Sequence, residues 1–258
     1  MITHIQEKAL HSRLRMEDLS FIMGFMKSCL LVCSEDEFHA LIREFARYFG
    51  FEYVMYVYMK SLYSSGNQTF VVNVSNPEKW MKEYGSRNYI EQDPVRHEIE
   101  IRKVPDGGQT FILWDGYDRE LSPVEREIIE RRRHHGLNYG CTMFDNSISK
   151  ELAFAVSFAS AQTRVEPHVE VVLSLIIHHL TITRKKLDFI GLTRALSARE
   201  KEVAALLSKG GTNGGIAHEL CITEATVKFH LSNIFTKLKV SNRQEAISIL
   251  LAVRYLCF

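Results

Sequence analysis

The chain has 258 residues, which is enough for two modest domains, and its hydrophobic and charged fractions of 46% and 24% are ordinary for a soluble globular protein. Its formal net charge of +1 excludes an overall attraction to nucleic acid, so DNA binding would require local positive charge. The N-terminus lacks the apolar core of a signal peptide, and no run reaches the ~18 apolar residues of a membrane span. We therefore expect a cytoplasmic protein that has no membrane partner.

The five cysteines are scattered and odd in number, which favours reduced thiols over a disulfide framework. Cys29 and Cys33 lie one helical turn apart, a spacing that metal ligands can use. Because a structural metal needs about four ligands and no second pair accompanies these two residues, we favour core packing for them. The sequence predicts no metal and no cofactor.

The first part of the chain alternates helical and extended patterns. Helices are predicted at 18–33 and over SEDEFHALIREFARYFG, which begins with a capping box and ends at Gly50. Strands are predicted at 51–60 and 69–75, because both runs are rich in β-branched and aromatic residues. The turn SSGNQ joins them as an antiparallel pair, and a short helix then ends before Pro94.

The next stretch repeats this order. A helix is predicted at 122–136, with Ser122 as N-cap, Glu125 completing a capping box and Gly136 ending it. The basic run Arg131–Arg133, followed by two histidines, is interpreted as the solvated end of this helix. Strands CTMFD and ELAFAVSFAS flank the turn NSISK, and a long helix follows at about 165–187. This order predicts an α+β fold, an α-β-α sandwich with an antiparallel sheet.

After Leu196 the chain changes to four short helices with clear capping signals. The second and third are joined by a tight turn at Cys221–Ile222, which predicts a helix-turn-helix within an all-α domain. The third helix carries an apolar stripe at near-helical spacing, made by Val227, Leu231, Ile234 and Leu238. Eight Lys and Arg against five Asp and Glu follow Leu196, so this helix suits the major groove of DNA.

The sequence of this segment resembles the LuxR-type DNA-binding domain over its whole length, in LSAREKEVAALLSKG, TNGGIAHEL and ITEATVKFHLSNIFTKLKVSNRQEAI. The resemblance implies a dimer contact through the last helix, 242–255, and these candidate DNA-binding residues: Thr226, Lys228, Phe229, Ser232, Asn233, Lys237 and Arg243. The chain departs from the family at Ala204 and Gly215. Gly214 and Gly215 together would cost about 1–2 kcal/mol relative to alanine, so the second helix is expected to be frayed or held by tertiary contacts.

The part before this domain resembles the acyl-homoserine-lactone-binding domain of LuxR-type quorum-sensing regulators over roughly 35–180. The resemblance rests on W-x3-Y and D-P within NPEKWMKEYGSRNYIEQDP, on ILWD and on HGLNYGCTM. A phosphoacceptor receiver domain does not fit, since the predicted strands form antiparallel pairs. The candidate ligand-binding residues are Asn76, Trp80, Tyr84, Tyr89, Asp93, Trp114, Gly140 and Ser157.

The resemblance implies a role for most of these residues. The Trp80 indole would donate to the lactone carbonyl, and the Asp93 carboxylate would accept the amide N–H. Ser157 or Tyr84 would donate to the acyl carbonyl, while Trp114 would wall the ring. The acyl tail would need a dry cavity between the sheet and the helices.

Other interpretations stay open at this point. Asn76 stands where family members commonly have a ligand-holding Tyr, so the regulator could answer a different metabolite or act without a ligand. The aromatic residues could also be ordinary core residues, with Asp93 capping a turn before Pro94. An enzyme is disfavoured, because the histidines at 134–135 and 178–179 form no recognisable triad or metal set.

These patterns together predict a ligand-responsive transcription regulator of quorum sensing with no catalytic residues. Residues 1–180 would bind the autoinducer, 181–194 would be a linker, and 195–258 would bind DNA. The expected partners are a small-molecule autoinducer, double-stranded promoter DNA with a near-palindromic site, a second copy of the chain, and RNA polymerase.

Overall fold

The computed structural model describes residues 14–62, 66–102, 107–149 and 152–256. These residues form two compact units. The first contains the described parts of Met1–Cys29 and Asp36–Ile182, and the second contains those of Leu30–Glu35 and Thr183–Phe258. No helix in the described ranges is long and apolar enough to cross a membrane.

The elements follow one another in an order close to the predicted one. Up to Arg194 they are α1 (Met16–Leu31), α2 (Glu35–Tyr48), β1 (Tyr53–Leu62), β2 (Gly66–Asn73), α3 (Glu78–Ser86), a 3₁₀ turn (Tyr89–Glu91), α4 (Pro94–Arg102), β3 (Gln109–Leu113), α5 (Pro123–His134), β4 (Tyr139–Ser149), β5 (Leu152–Ser160) and α6 (His168–Arg194). The end of α1 and the part of α6 after Ile182 belong to the second unit. The second unit continues with α7 (Ala198–Ser208), α8 (Asn213–Glu219), α9 (Glu224–Leu238) and α10 (Arg243–Leu256). Helix α6 thus includes the segment 181–194 that the sequence suggested as a linker.

The five strands form one antiparallel sheet in the order β2-β1-β5-β4-β3. The two predicted strand pairs are present. The edge strand β3 was not predicted, because its five residues, QTFIL, are too few for the alternation of two buried positions to stand out. In the central ladders Ser157 lies opposite both Met55 of β1 and Thr142 of β4, which places these three side chains on one face of the sheet.

Helices cover both faces, so the predicted α-β-α sandwich is confirmed. On one face α2 packs through Phe38 and Phe45, whose rings lie 5.6 Å from Tyr56 and 5.3 Å from Phe158, measured between centroids. On the same face the Thr181 hydroxyl of α6 donates to the buried Asp145 of β4 at 2.8 Å. Helices α3, α4 and α5 belong to the opposite face, where they surround a hollow.

Helix α5 begins as predicted, since Ser122 Oγ accepts the N–H of Glu125 at 3.2 Å and the Glu125 carboxylate accepts the N–H of Ser122 at 2.7 Å. Its other end corrects the interpretation of the basic run. Arg131 and Arg133 keep side-chain exposures of 43% and 53%, but Arg132 is only 5% exposed. Arg132 lies seven residues after Glu125, and therefore on the buried face of the helix.

The second unit is the predicted all-α domain. Ser197 and Thr223 cap α7 and α9 through their hydroxyl oxygens, and Cys221 makes the turn between α8 and α9 with a left-handed φ of +52°. The short helix α8 contains both expected glycines and is held by tertiary contacts through the buried Ile216 and Ala217. The apolar stripe of α9 enters a core that also includes Val203, Leu207, Ile216, Ala217 and Ala246.

Candidate functional site

A cavity of about 390 Å³ lies between the sheet and helices α3 to α5. Alternate residues of β1, β4 and β5 face it, as the pleat of a sheet requires. The sheet side of its wall is lined by Met55, Val57, Met59, Thr69, Thr142, Phe144, Asn146, Ala153, Ala155 and Ser157. The helix side is lined by residues that include Trp80, Tyr84, Ile90, Asp93, Val95, Ile99, Ile128 and Arg132.

Asp93 is the main acidic group of this wall. Its carboxylate accepts the Tyr84 hydroxyl through Oδ2 and the Val95 N–H through Oδ1, both at 2.8 Å. Asp93 therefore caps the start of α4 and faces the cavity at once. Asp93 faces the cavity, but the protein around the cavity shields it from bulk solvent. This burial raises the pKa of Asp93, while the two hydrogen bonds act in the opposite direction. Burial, followed by the charge of Asp93, raises the pKa of Tyr84, so Tyr84 is a neutral donor.

The aromatic residues of α3 stand one helical turn apart and share a buried cluster. Trp80 and Tyr84 have ring centroids 5.4 Å apart in an edge-to-face arrangement. Tyr89 belongs to the same cluster, but it is not among the described residues that line the cavity, and its hydroxyl donates to Glu127 at 3.2 Å. Tyr89 thus packs against Trp80 and Tyr84 within the cluster rather than lining the cavity.

A chain of hydroxyl groups crosses the sheet at the cavity wall. The Trp114 indole donates from Nε1 to Thr142 Oγ1 at 2.9 Å, and Thr142 Oγ1 lies 2.8 Å from Ser157 Oγ. Thr142 was not among the predicted site residues. Sequence reasoning could not have revealed it, because a five-residue NSISK turn would set Thr142 opposite Phe154. In the structure β4 continues to Ser149, and an irregularity between Asp145 and Ser149 shifts the ladder so that Thr142 lies opposite Ser157.

Gly140 and Asn76 have different places. A Cβ atom on Gly140 would lie 2.5 Å from Cε3 of Trp114, so glycine lets the indole lie flat against β4, but Gly140 itself is outside the described lining of the cavity. Asn76 is buried and lines the cavity, with its side-chain amide 3.7 Å from the sulfur of Met81.

Arg132 is a second cavity residue that sequence reasoning missed. Its guanidinium lies over the Trp114 ring, 4.2 Å from the centroid, and burial lowers its pKa. The signal that could have revealed it is the stripe of α5, since positions 125, 128, 129 and 132 follow the spacing of a buried helix face.

The candidate DNA-binding residues divide into two groups. Lys228, Phe229 and Ser232 are exposed on the face of α9 that lies away from the apolar stripe, and Phe229 keeps 64% of its surface exposed. Aromatic side chains are of the type that contacts thymine methyl groups, and lysine and serine are of the type that contacts phosphate oxygens. This face of α9 is therefore available to the major groove.

The other candidates are engaged inside the second unit. Lys237 donates to the buried Glu200 at 2.6 Å, and this contact with Lys237 is the main reason that the pKa of Glu200 is lowered. Arg243 donates to Asn213 Oδ1 at 3.1 Å and to the carbonyl oxygen of Gly211. The half-buried Thr226 shares a hydroxyl contact of 2.8 Å with Thr223, and Asn233 is half-buried.

Within the described ranges, no group of three or more His, Cys, Asp and Glu side chains could hold a metal ion. Two of the histidines considered for catalysis have nearby polar partners. His135 Nε2 lies 3.0 Å from Glu83, and His178 Nδ1 lies 3.3 Å from Ser147 Oγ.

The arrangement of a cavity-bearing sandwich and a helix-turn-helix unit defines a ligand-responsive, DNA-binding transcription regulator. Residues 34–182 match the autoinducer binding domain, and residues 194–250 match the bacterial regulatory proteins of the luxR family. The chain therefore belongs to the LuxR family of quorum-sensing transcription regulators, and it binds DNA through its helix-turn-helix. The relatives below are transcription regulators, so the chain is a regulator rather than an enzyme.

Among the curated relatives, the chain is similar to the transcriptional activator AnoR of Acinetobacter nosocomialis, with 25% identity covering 86% of this chain and 92% of AnoR. It is 30% identical to the transcriptional activator LuxR of Aliivibrio fischeri, covering 67% of this chain and 69% of LuxR. A crystal structure of Escherichia coli SdiA has a TM-score of 0.53 at 22% identity, covering 93% of this chain and 99% of SdiA. SdiA in complex with octanoyl-rac-glycerol has the same TM-score at 20% identity, covering 95% and 99%. These likenesses show a shared fold.

Proposed function

We propose that the cavity of the first unit binds an N-acyl-homoserine lactone or a similar small amphiphile. The observation that carries this proposal is the position of Asp93, a carboxylate facing a cavity that is otherwise mostly apolar and about 390 Å³ in volume. Support comes from SdiA, whose structure with octanoyl-rac-glycerol pairs an eight-carbon acyl chain with a polar head. The bound molecule would complete the core and stabilise the native fold.

The polar groups match the polar groups of an amide-linked head. In this proposal Asp93 accepts the amide N–H, since each carboxylate oxygen keeps a lone pair beyond its one hydrogen bond to Tyr84 or Val95. Trp80 donates its indole N–H to the ring carbonyl, and Trp114 forms the wall beside the ring. The acyl tail lies along the apolar sheet residues.

The donor to the acyl carbonyl can be chosen from the direction of the hydrogen bonds. Tyr84 has one hydroxyl proton, and it is already donated to Asp93. An indole nitrogen is only a donor, so Thr142 accepts from Trp114 and can pass its own proton to Ser157. That direction leaves the Ser157 proton available to the ligand, and we therefore assign the acyl carbonyl to Ser157 rather than Tyr84.

Three other candidates have supporting or altered roles in this proposal. Tyr89 and Gly140 position Trp80 and Trp114 without contacting the ligand. Asn76 lines the cavity where a tyrosine hydroxyl is common in the family, which favours a second possibility, a regulator that answers a different metabolite. Mass spectrometry of the molecule that copurifies with the chain from cells fed candidate acyl-lactones distinguishes the two.

We propose that the second unit acts as one half of a homodimer on a near-palindromic promoter site, with two α9 helices about one DNA turn apart. In this proposal Lys228, Phe229 and Ser232 contact the DNA directly, whereas Lys237 and Arg243 hold α9 and α10 in place. In this proposal the ligand-binding domain ends near residue 180 and the DNA-binding domain begins near residue 195, which is supported by the matched ranges 34–182 and 194–250. RNA polymerase would be the partner in transcription, and the cytoplasm, which contains the promoter, would be the site of action.

The Asp93 assignment is tested by calorimetric titration of the purified full chain with N-octanoyl-homoserine lactone. Asp93→Asn should weaken binding by about 1.5–3 kcal/mol, the range for a hydrogen bond to a charged group. Glu91→Gln is the matched control, because Glu91 is a nearby carboxylate that is 52% exposed and pairs with Arg96. An Asp93→Asn variant that binds as tightly as the control would refute the assignment.

A further inference from the structure

The Arg132 guanidinium is a buried cation with unused donors in the wall of the cavity. Its side chain is 5% exposed, lies over Trp114 and lines the hollow. Two of its nitrogen atoms, Nε and Nη2, have no hydrogen-bond acceptor among the described residues. Buried donors are almost always paired in folded proteins. The described residues therefore leave this guanidinium without the acceptor that it would be expected to have.

The neighbouring acidic groups do not supply that counterpart. Asp93 attracts Arg132 electrostatically, but its carboxylate is hydrogen-bonded to Tyr84 and Val95. Asp115 pairs instead with Arg133 at 3.1 Å. Neither carboxylate therefore accepts a hydrogen bond from Nε or Nη2 of Arg132.

Tyr117 does not supply it either. Its hydroxyl is near enough to interact with the guanidinium, but the geometry falls short of a hydrogen bond, and this buried hydroxyl has no hydrogen-bond partner among the described residues. Burial raises the pKa of Tyr117, so the phenol stays neutral and offers a second donor rather than a negative charge.

Other buried charges in the same unit are paired directly. The buried Glu98 lies 2.7 Å from Arg102 and 2.9 Å from Arg119. A buried ion is costly unless an opposite charge or several hydrogen bonds compensate it, so the state of Arg132 is an exception that needs a cause. The planar fork of a guanidinium matches the two oxygens of a carboxylate.

We propose that the ligand of this cavity carries a carboxylate that binds Arg132, as in an N-acyl amino acid, rather than a neutral lactone head. This inference rests on the proposed function, since it assumes an acyl amide in the cavity with its N–H on Asp93. The two charged residues of the site then match the two polar groups of the ligand. Asp93 accepts the amide proton, and Arg132 binds the carboxylate.

The test compares two compounds that differ only in the head, N-octanoyl-homoserine lactone and its ring-opened acid, N-octanoyl-homoserine. Both are titrated into the purified full chain at a mildly acidic pH, where the ring stays closed in the lactone and the carboxylate stays charged in the acid. The acid should bind about tenfold more tightly or better, as expected for a charge-assisted contact.

Substitution of the arginine then shows whether Arg132 causes the preference. Arg132→Met should remove the tenfold preference for the acid. Arg131→Met, which changes the neighbouring half-exposed arginine, should keep that preference. Arg132→Met should fold at least as stably as the ligand-free wild type in thermal denaturation, because an apolar side chain of similar length replaces an uncompensated charge. The wild-type preference is measured independently of this variant.

Three results would overturn the inference. A wild-type chain that binds the lactone as tightly as the acid, or more tightly, contradicts it while the proposed function stands. A preference for the acid that persists in Arg132→Met also contradicts it, since another residue would then hold the carboxylate. If neither compound binds, the proposed function itself fails, and the inference fails with it.

Discussion

Two buried charged residues, Glu200 in the second unit and Arg132 in the first, differ in how their hydrogen-bonding groups are satisfied. In the second unit Glu200 accepts the Ser197 N–H at 2.7 Å and the Lys237 ammonium at 2.6 Å, and Arg199 donates to the Leu220 carbonyl at 2.8 Å. These groups are satisfied by the chain itself. In the first unit Arg132 has unpaired nitrogen atoms, and it faces a hollow.

This difference indicates which unit depends on another molecule. Atoms that line a hollow lack dispersion contacts on one side, so the first unit is less stable than its size allows until a ligand fills the cavity. In the second unit the apolar stripe of α9 is buried in the core, and Lys228, Phe229 and Ser232 lie exposed on the surface. The predictions below test this contrast.

The largest effect is expected from truncating the closed core. Ile234→Ala should destabilise the second unit by about 2–5 kcal/mol, because Ile234 is fully buried and its neighbours cannot fill the space. Ile99→Ala in the cavity wall should cost less than about 2 kcal/mol, since Ile99 is half-buried with one side facing the hollow. Urea denaturation of the ligand-free chain measures both, and equal losses would remove the contrast.

The next effect concerns the outer face of α9. Phe229→Ala should weaken binding to a duplex selected from random sequences by about 1–3 kcal/mol, through loss of an apolar contact to a base. Its folding stability should stay within about 0.5 kcal/mol of wild type, because the ring is 64% exposed. Fluorescence anisotropy measures the DNA binding, with the exposed Thr236→Ala as control on the same helix. Unchanged affinity in Phe229→Ala would show that this face does not read DNA.

A smaller effect comes from the ion pair inside the second unit. The Lys237 contact lowers the pKa of Glu200 in the folded state, so its stabilisation is present above the unfolded pKa of about 4.3 and is lost as the pH falls toward the folded value. Lys237→Met should cost about 1–2 kcal/mol near pH 7, a value reduced because Lys237 is 38% exposed. Denaturation series from neutral to acidic pH should show a shallower acid loss in this variant than in wild type. Parallel curves would exclude the role of Lys237.

The smallest effect is a gain in the first unit. Gly24 lies within α1, is exposed and has no atom within 4 Å of the position of an added Cβ. Gly24→Ala should therefore stabilise the fold by about 0.5–1 kcal/mol, mainly by restricting the unfolded chain. Thermal denaturation measures the gain, and a loss would mean that α1 needs a flexible residue at this point.

The four helices after Leu196 could be predicted from the sequence, because their signals are local, but the internal partners of Lys237 and Arg243 could not. Ser197, Thr223 and the stripe beginning at Val227 act within one or two helical turns. The cavity could be predicted only in part, because it depends on strand register and on which way one helix turns. Thr142 enters the site through its partner on the next strand, and Arg132 enters because α5 buries that face. A run of three arginines looks the same in the sequence whichever of them points inward.

The pairing of Thr142 with Ser157 has a consequence for how the protein senses its signal. If β4 slipped by one residue against β5, the Thr142 hydroxyl would turn to the opposite face of the sheet. The hydrogen bonds that link the Trp114 indole, Thr142 and Ser157 would then be lost. In the proposed site, binding of an amphiphile would therefore also depend on the native alignment of this hairpin. Copies with a misaligned hairpin would not bind the ligand, so only correctly folded copies would respond to it at a promoter.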